Sequence, residues 1–291
     1  MRWIRLAVIL LLATLPTRAL ACSGVALFGD GAVVVGGNED QIGMFTDPRM
    51  WATAASAEAH GAVFFGLYFT NLGDRQPGWY EMQGVNDQGL YFDLFATPCP
   101  PGGFRPVQHP YWWKPEPLEQ LMLQRCATVK EALSFLNGKY YRQTVPCTQV
   151  LLVDRAGNAA VYTDTGVVYR DPASSSFFVT NFDLATPSLG DWPCPRHNMI
   201  QDLVNADSEP TVDRVGEVLS AVGPWALYSI VADLVGSTVD VYYNTDFSVR
   251  ARLNVARLFV TGWAVTPLAR LTYVPSGLSL PPQLPLDTYG S

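Results

Sequence analysis

Apolar and polar positions change their spacing several times along the chain, and each change marks an element. Cys22-Ser-Gly-Val-Ala-Leu-Phe runs into Gly29-Asp30-Gly31 and out again through Ala32 to Val35. A glycine turn between β-branched, apolar arms predicts a hairpin. Strand-like runs follow at 62–69, 89–96, 149–154, 159–162, 177–180, 228–233, 238–243 and 249–253. Helical spacing takes over in between. Thr128-Val-Lys-Glu131 is a capping box ahead of Ala132, Leu133 and Leu136, and Gly138 stops that helix. Met199, Ile200, Leu203 and Val204 form a stripe within 195–204, and Val215, Val218, Leu219 and Val222 form another. Strand pairs and helices come in blocks without strict alternation and without an internal repeat. The pattern predicts an α+β fold, with helices packed on largely antiparallel sheets.

The first residues are of a different kind. Arg2 and Arg5 flank an apolar run at 6–12, and Ala19-Leu20-Ala21 is a small-x-small cleavage signal. That run is too short to span a bilayer, and no later stretch reaches about 18 apolar residues. Residues 1–21 are therefore expected to be a secretory signal that is removed, giving a periplasmic or secreted protein. Residues 22–275 are expected to form one domain, and 276–291, with Pro281, Pro282 and Pro285, a Pro-rich tail.

Signal removal takes three arginines and no acid, so the formal charge goes from -7 to -10. So acidic an exported chain argues against nucleic acid and anionic lipid, and for small neutral or cationic partners. The composition leaves the oligomeric state open. Cys22, Cys99, Cys126, Cys147 and Cys194 include no C-x-x-C pair, and His60, His109 and His197 fall in no metal spacing. No metal and no cofactor are expected. Up to two disulfides among the last four cysteines would leave Cys22 over.

Position makes Cys22 the chemical candidate. Cleavage after Ala21 would leave it with both a thiol, of pKa ~8.5, and an α-amine of ~7.7–8.0, so that one residue holds nucleophile and base. The same place also suits a lipid-modified anchor or half of a disulfide. Lipoprotein signals, however, usually carry Leu three residues before the cysteine, where this chain has Ala19. Neither H-E-x-x-H nor G-x-S-x-G occurs, which disfavours metal-dependent and serine hydrolysis.

Four segments together resemble a known family. These are Cys22-Ser-Gly with Gly36-Gly37-Asn38-Glu39-Asp40, then Gln83-Gly-Val-Asn-Asp-Gln-Gly-Leu-Tyr-Phe-Asp93, then Phe178-Val-Thr-Asn181-Phe-Asp183 with Cys194-Pro-Arg196, and last Leu227-Tyr-Ser-Ile-Val-Ala-Asp233. In this order they are similar to the linear amide C–N hydrolases. That group of N-terminal nucleophile (Ntn) hydrolases includes penicillin V acylases, choloylglycine (bile salt) hydrolases, acid ceramidase and isopenicillin N acyltransferase relatives.

The resemblance implies a four-layer αββα sandwich and hydrolysis of an N-acyl small molecule through a thioester. It implies Cys22 as nucleophile, Asp40 as the carboxylate orienting its α-amine, and Asn181 as an oxyanion donor. A backbone N–H at Phe95 or Ala96 would be the second donor, and Arg196 would position substrate or its neighbours. Tyr111-Trp112-Trp113 would serve either an acyl pocket or packing. One departure is plain: many relatives carry arginine where this chain has Gly37, with Arg49 or Arg196 as spatial replacements. A non-catalytic envelope lipoprotein used for binding, and an acyltransferase with an amine acceptor, are the alternative functions.

Overall fold

In a computed structural model, which describes residues 22–40, 47–69, 78–98, 118–139, 147–188 and 194–272, strand alternation sorts side chains into layers. Along β1 (Ser23–Gly29) and β2 (Ala32–Asp40), Ala26, Phe28, Val33 and Val35 point into one cluster. Val25, Leu27 and Val34 between them point into another. This is the period of two expected of a strand buried on both faces.

β1 and β2 pair from Ser23↔Asn38 to Gly29↔Ala32 around a turn in which Gly31 takes φ 72°, open to glycine without strain. They sit inside a six-stranded antiparallel sheet. Its order is β10 (Ser176–Val179), β1, β2, β11 (Ala226–Asp233), β12 (Thr238–Tyr243), β13 (Asp246–Asn254). The second sheet has eight strands in the order β14 (Trp263–Pro267), β3 (Arg49–Thr53), β4 (Ala62–Phe69), β5 (Gly78–Asn86), β6 (Leu90–Ala96), β7 (Thr148–Asp154), β8 (Ala159–Tyr162), β9 (Val167–Tyr169).

Helices cover both outer faces. α1 (Leu118–Arg125) and α2 (Val129–Gly138) bury Met122, Leu123, Ala132 and Leu136 against the eight-stranded sheet. α3 (Pro195–Ala206) and α4 (Val212–Val222) bury Ile200, Val204, Val215 and Leu219 against the six-stranded one. The largest apolar cluster lies between the sheets, and α5 (Val255–Thr261) and α6 (Leu268–Thr272) close its edge with Leu258, Phe259 and Leu268. The result is the αββα sandwich. No described helix is long and apolar enough to cross a membrane.

The predicted elements recur with small shifts. Thr128 caps α2 by accepting from the Glu131 N–H at 3.3 Å, and Glu131 reaches back to the Ala127 N–H at 2.7 Å. β3, β5, β9, α1 and the α5–β14–α6 segment were not among the predicted elements. β3 is only five residues long, and α1 buries Glu119 beside Leu121, Met122 and Leu123 instead of showing an apolar stripe. The signal segment, Tyr111-Trp112-Trp113 and the Pro-rich tail lie outside the described residues. The cysteines narrow one expectation. Cys147 is disulfide-bonded, whereas Cys126 and Cys194 are free and buried, so of the up to two bridges expected one forms.

Two buried asparagines tie the sheets to their helices. Asn86 donates to the carbonyls of Leu123 and Cys126 at 2.8 and 2.7 Å and accepts from the Leu90 N–H at 2.9 Å, fixing the β5–β6 turn to α1. Asn38 donates to the Leu219 carbonyl in α4 at 2.9 Å and accepts from the Ser229 hydroxyl. Losing a buried partner costs about 1–3 kcal/mol. Asn38→Ala is accordingly expected to lower unfolding free energy by that amount in denaturant titration, with the slope unchanged; a change within error would mean the link is dispensable.

Candidate active site

Consecutive residues of β2 face opposite ways, and this divides the site in two. Glu39 follows Val33 and Val35 into the space between the sheets, and Asp40 follows Val34 to the face that carries α3 and α4. Cys22, just before β1, lies with Ala26 in the inter-sheet core.

The Cys22 thiol donates to Glu39 Oε2 at 3.6 Å and accepts from the Asp40 backbone N–H. Burial, then the negative charges of Glu39 and Asp40, push its pKa well above the ordinary value. A resting thiol is therefore protonated.

Glu39 does not stand alone. Its carboxyl hydrogen-bonds Asp93 of β6, which also receives Gln83 Nε2 at 3.0 Å, the Tyr91 hydroxyl at 3.2 Å and the Leu94 N–H. Gln83 and Asp93 are cross-strand neighbours in β5 and β6, and Tyr228 of β11 stands opposite Glu39 in β2. Burial raises the pKa of both carboxyls well above the usual range. Two carboxyls in hydrogen-bond contact hold a shared proton, because both cannot ionise side by side.

This pair accounts for Gly37. A Cβ there would stand 1.8 Å from Asp93 Oδ2 and 2.7 Å from Gln83 Nε2. Asp93 occupies the ground that an arginine at position 37 would need.

On the other face, Arg196 is the guanidinium that the fold brings to Cys22. It donates to the Cys22 carbonyl at 2.7 Å, to Ser23 Oγ at 2.9 Å and to Asn181 Oδ1 at 3.1 Å. Arg196 follows Pro195 in the first turn of α3, where the helix dipole disfavours a cation. These acceptors explain why it is held there. Arg49, the other arginine considered, pairs with Asp47.

Asn181 has its amide orientation set from both ends, since its Nδ2 donates to the Ala96 carbonyl at 2.9 Å. Gln149 of β7 supports that segment by donating to the Thr180 and Phe182 carbonyls. Of the two predicted backbone donors, Ala96 therefore presents its C=O to Asn181, while Phe95 is fully buried behind Gly24.

Asp40 is buried, and neither carboxylate oxygen has a hydrogen-bond partner among the described residues. Burial pushes its pKa up to about 7, with the charge of Arg196 working against the rise.

Cys22, Asp40, Asn181 and Arg196 thus converge, from positions up to 174 residues apart. The chain pattern did not single out Glu39, Gln83, Asp93 or Gln149. Asp93 left a trace, a lone carboxylate between Phe92 and Leu94 in an otherwise apolar strand. Among the described residues, no cluster of His, Cys, Asp and Glu could hold a metal ion.

No protein-family model matches the chain, and no curated protein matches it. Solved structures do. Penicillin V acylase from Agrobacterium tumefaciens superposes with a TM-score of 0.51 at 15% identity, covering 76% of this chain and 83% of that one. An arginine-to-leucine variant of conjugated bile acid hydrolase from Clostridium perfringens gives a TM-score of 0.57 at 12% identity, covering 84% and 96%. A cysteine-to-alanine variant of the same hydrolase gives 0.52 at 12% identity with the same coverage. At such identities the likeness establishes a shared fold, the αββα sandwich.

Asp40 makes the unprocessed chain sensitive to pH. Its pKa rises from 3.8 to about 7 on folding, so between those values the folded chain holds a proton that the unfolded chain has lost. Stability from this group falls as pH rises through that window. Relative to Asp40→Asn, the melting temperature of the full chain is expected to drop between pH 4 and pH 7. Parallel curves for the two chains would show that Asp40 is ionised throughout.

Proposed function

We propose that this protein is an exported N-terminal-cysteine amidohydrolase, cleaving the amide bond of a small N-acyl substrate through a thioester on Cys22. One observation carries the reading: Arg196 joins the Cys22 carbonyl, Ser23 and the side-chain oxygen of Asn181 in a single set of hydrogen bonds. A buried thiol at a strand end is by itself ordinary core. Here it is locked beside an oriented amide and a buried, unpartnered carboxylate. The fold is also shared with a protein named as an acylase and another named as a bile acid hydrolase.

Removal of residues 1–21 would turn the Cys22 nitrogen into an α-amine. Asp40 lacks a donor among the described residues, and an α-ammonium group is the donor its carboxylate suits. The Cys22 sulfur then attacks the substrate carbonyl. Asn181 Nδ2 carries two hydrogens, of which one is engaged by the Ala96 carbonyl, leaving the second for the oxyanion. Loss of the amine leaves a thioester, and water activated by the α-amine hydrolyses it. The scheme uses side chains and the α-amine alone.

Protein recovered from the exported compartment is expected to begin at an unmodified Cys22, by intact mass and N-terminal sequencing. It should hydrolyse members of an N-acyl amide panel, and Cys22→Ala should not. Asn181→Ala is expected to lower kcat by about 10²–10³ with KM little changed. A lipid on Cys22, or a cut elsewhere, would sink the mechanism. Product formed only with an added amine acceptor would make the enzyme an acyltransferase.

A further inference from the structure

The thiol of Cys22 already has a proton acceptor within its hydrogen-bonding reach, and it is not the α-amine. Glu39 Oε2 takes the thiol hydrogen bond, and Glu39 in turn bonds Asp93. Asp93 is the better hydrogen-bonded end of this chain, with Gln83, Tyr91 and the Leu94 N–H donating to it. The three donors favour the charge on Asp93 and the shared proton on Glu39. The titratable and polar groups facing Glu39 are Cys22 before β1, Asp40 beside it, Asp93 and Tyr91 from β6, Gln83 from β5 and Tyr228 from β11. No cation faces it among these. The nearby guanidinium, Arg196, bonds the Cys22 carbonyl, Ser23 and Asn181.

The α-amine of a processed Cys22 is ill suited by its protonation state to the same task. Its ordinary pKa is ~7.7–8.0. A carboxylate such as Asp40 beside it favours the ammonium form further. At neutral pH it has a proton to give and no room to accept one.

Resting on the amidase reading above, we infer that Glu39 is a further catalytic residue: it accepts the Cys22 thiol proton and relays its own to Asp93. The protons then balance through both steps. In acylation the S–H bond breaks toward Glu39, sulfur bonds the carbonyl carbon, the α-ammonium protonates the leaving nitrogen and the C–N bond breaks. In deacylation the neutral α-amine takes a proton from water, the new C–O bond forms and the C–S bond breaks. The thiolate then recovers its proton from Glu39, and Glu39 from Asp93. Gly37 serves this relay by leaving room for Asp93, since any side chain there would collide with it.

The test compares the processed wild type with Glu39→Gln and Asp93→Asn, reading turnover, its pH profile, the rate of Cys22 alkylation by iodoacetamide and the melting temperature. The Glu39→Gln change keeps both hydrogen bonds and the net charge but removes the group that carries the proton. It is expected to lower kcat by about 10²–10⁴ and to slow alkylation of Cys22, which requires the thiolate, while KM and the melting temperature stay unchanged. Asp93→Asn moves the charge from a carboxylate with three donors to Glu39, which has fewer. The acid limb of kcat/KM should therefore move to higher pH.

Wild-type turnover in Glu39→Gln, or an unmoved acid limb in Asp93→Asn, overturns the inference. Loss of turnover together with a lowered melting temperature, not rescued by Glu39→Asp, makes Glu39 structural and overturns it too. A wild type that begins at Cys22, is alkylated there and cleaves no N-acyl amide overturns the amidase reading itself, before any variant is compared.

Discussion

Much near Cys22 follows from the Glu39–Asp93 negative charge being enclosed between two sheets with no cation facing it among the described residues. Glu39 and Asp93 both lie on inward faces, and burial makes ionising both prohibitive, so they share a proton. The thiol beside them is pushed toward its neutral form for the same reason. Were arginine at position 37, the charge would be neutralised and a thiolate favoured. Glycine there lets Asp93 take that place, and the resting chemistry of the cysteine changes with it.

Strand alternation then gives two adjacent acids different work. Glu39 and Asp40 are neighbours in sequence, yet one meets the thiol and Asp93, and the other meets Arg196 and the start of β1. Both pKa values are raised by burial, but the charge of Arg196 partly offsets the rise for Asp40, while Asp93 adds to that for Glu39. A pleated strand separates such environments by a single residue.

The rest of the site depends on layers formed by distant segments. Gln149 on the eight-stranded sheet holds the carbonyls on either side of Asn181, which follows an edge strand of the six-stranded sheet. Arg196 at the start of α3 spans back to β1. An architecture of this kind survives at 12–15% identity to its structural neighbours because layer packing asks for apolar side chains of suitable volume at alternating positions. The polar groups between the layers carry the individual chemistry.

Much of this architecture was written in local pattern. The β1–β2 hairpin, the Thr128 capping box, the stripe of α4 and Ile200 and Val204 of α3 were legible because spacing reports which face is buried, while Met199 of the expected α3 stripe is exposed. Cys22, Asp40, Asn181 and Arg196 were legible through short segments in a recognisable order, with Cys22 marked further by its place after the small-x-small Ala19-Leu20-Ala21. What the sequence could not show was which polar residues meet across the sheets. The pairing of Glu39 with Asp93, the collision that keeps residue 37 a glycine, and the hold of Gln149 on the Asn181 segment all join residues from separate strands. Sequence spacing determines the face of a residue, but its partner is set by register and by sheet-on-sheet packing, and these exist only once the chain has folded.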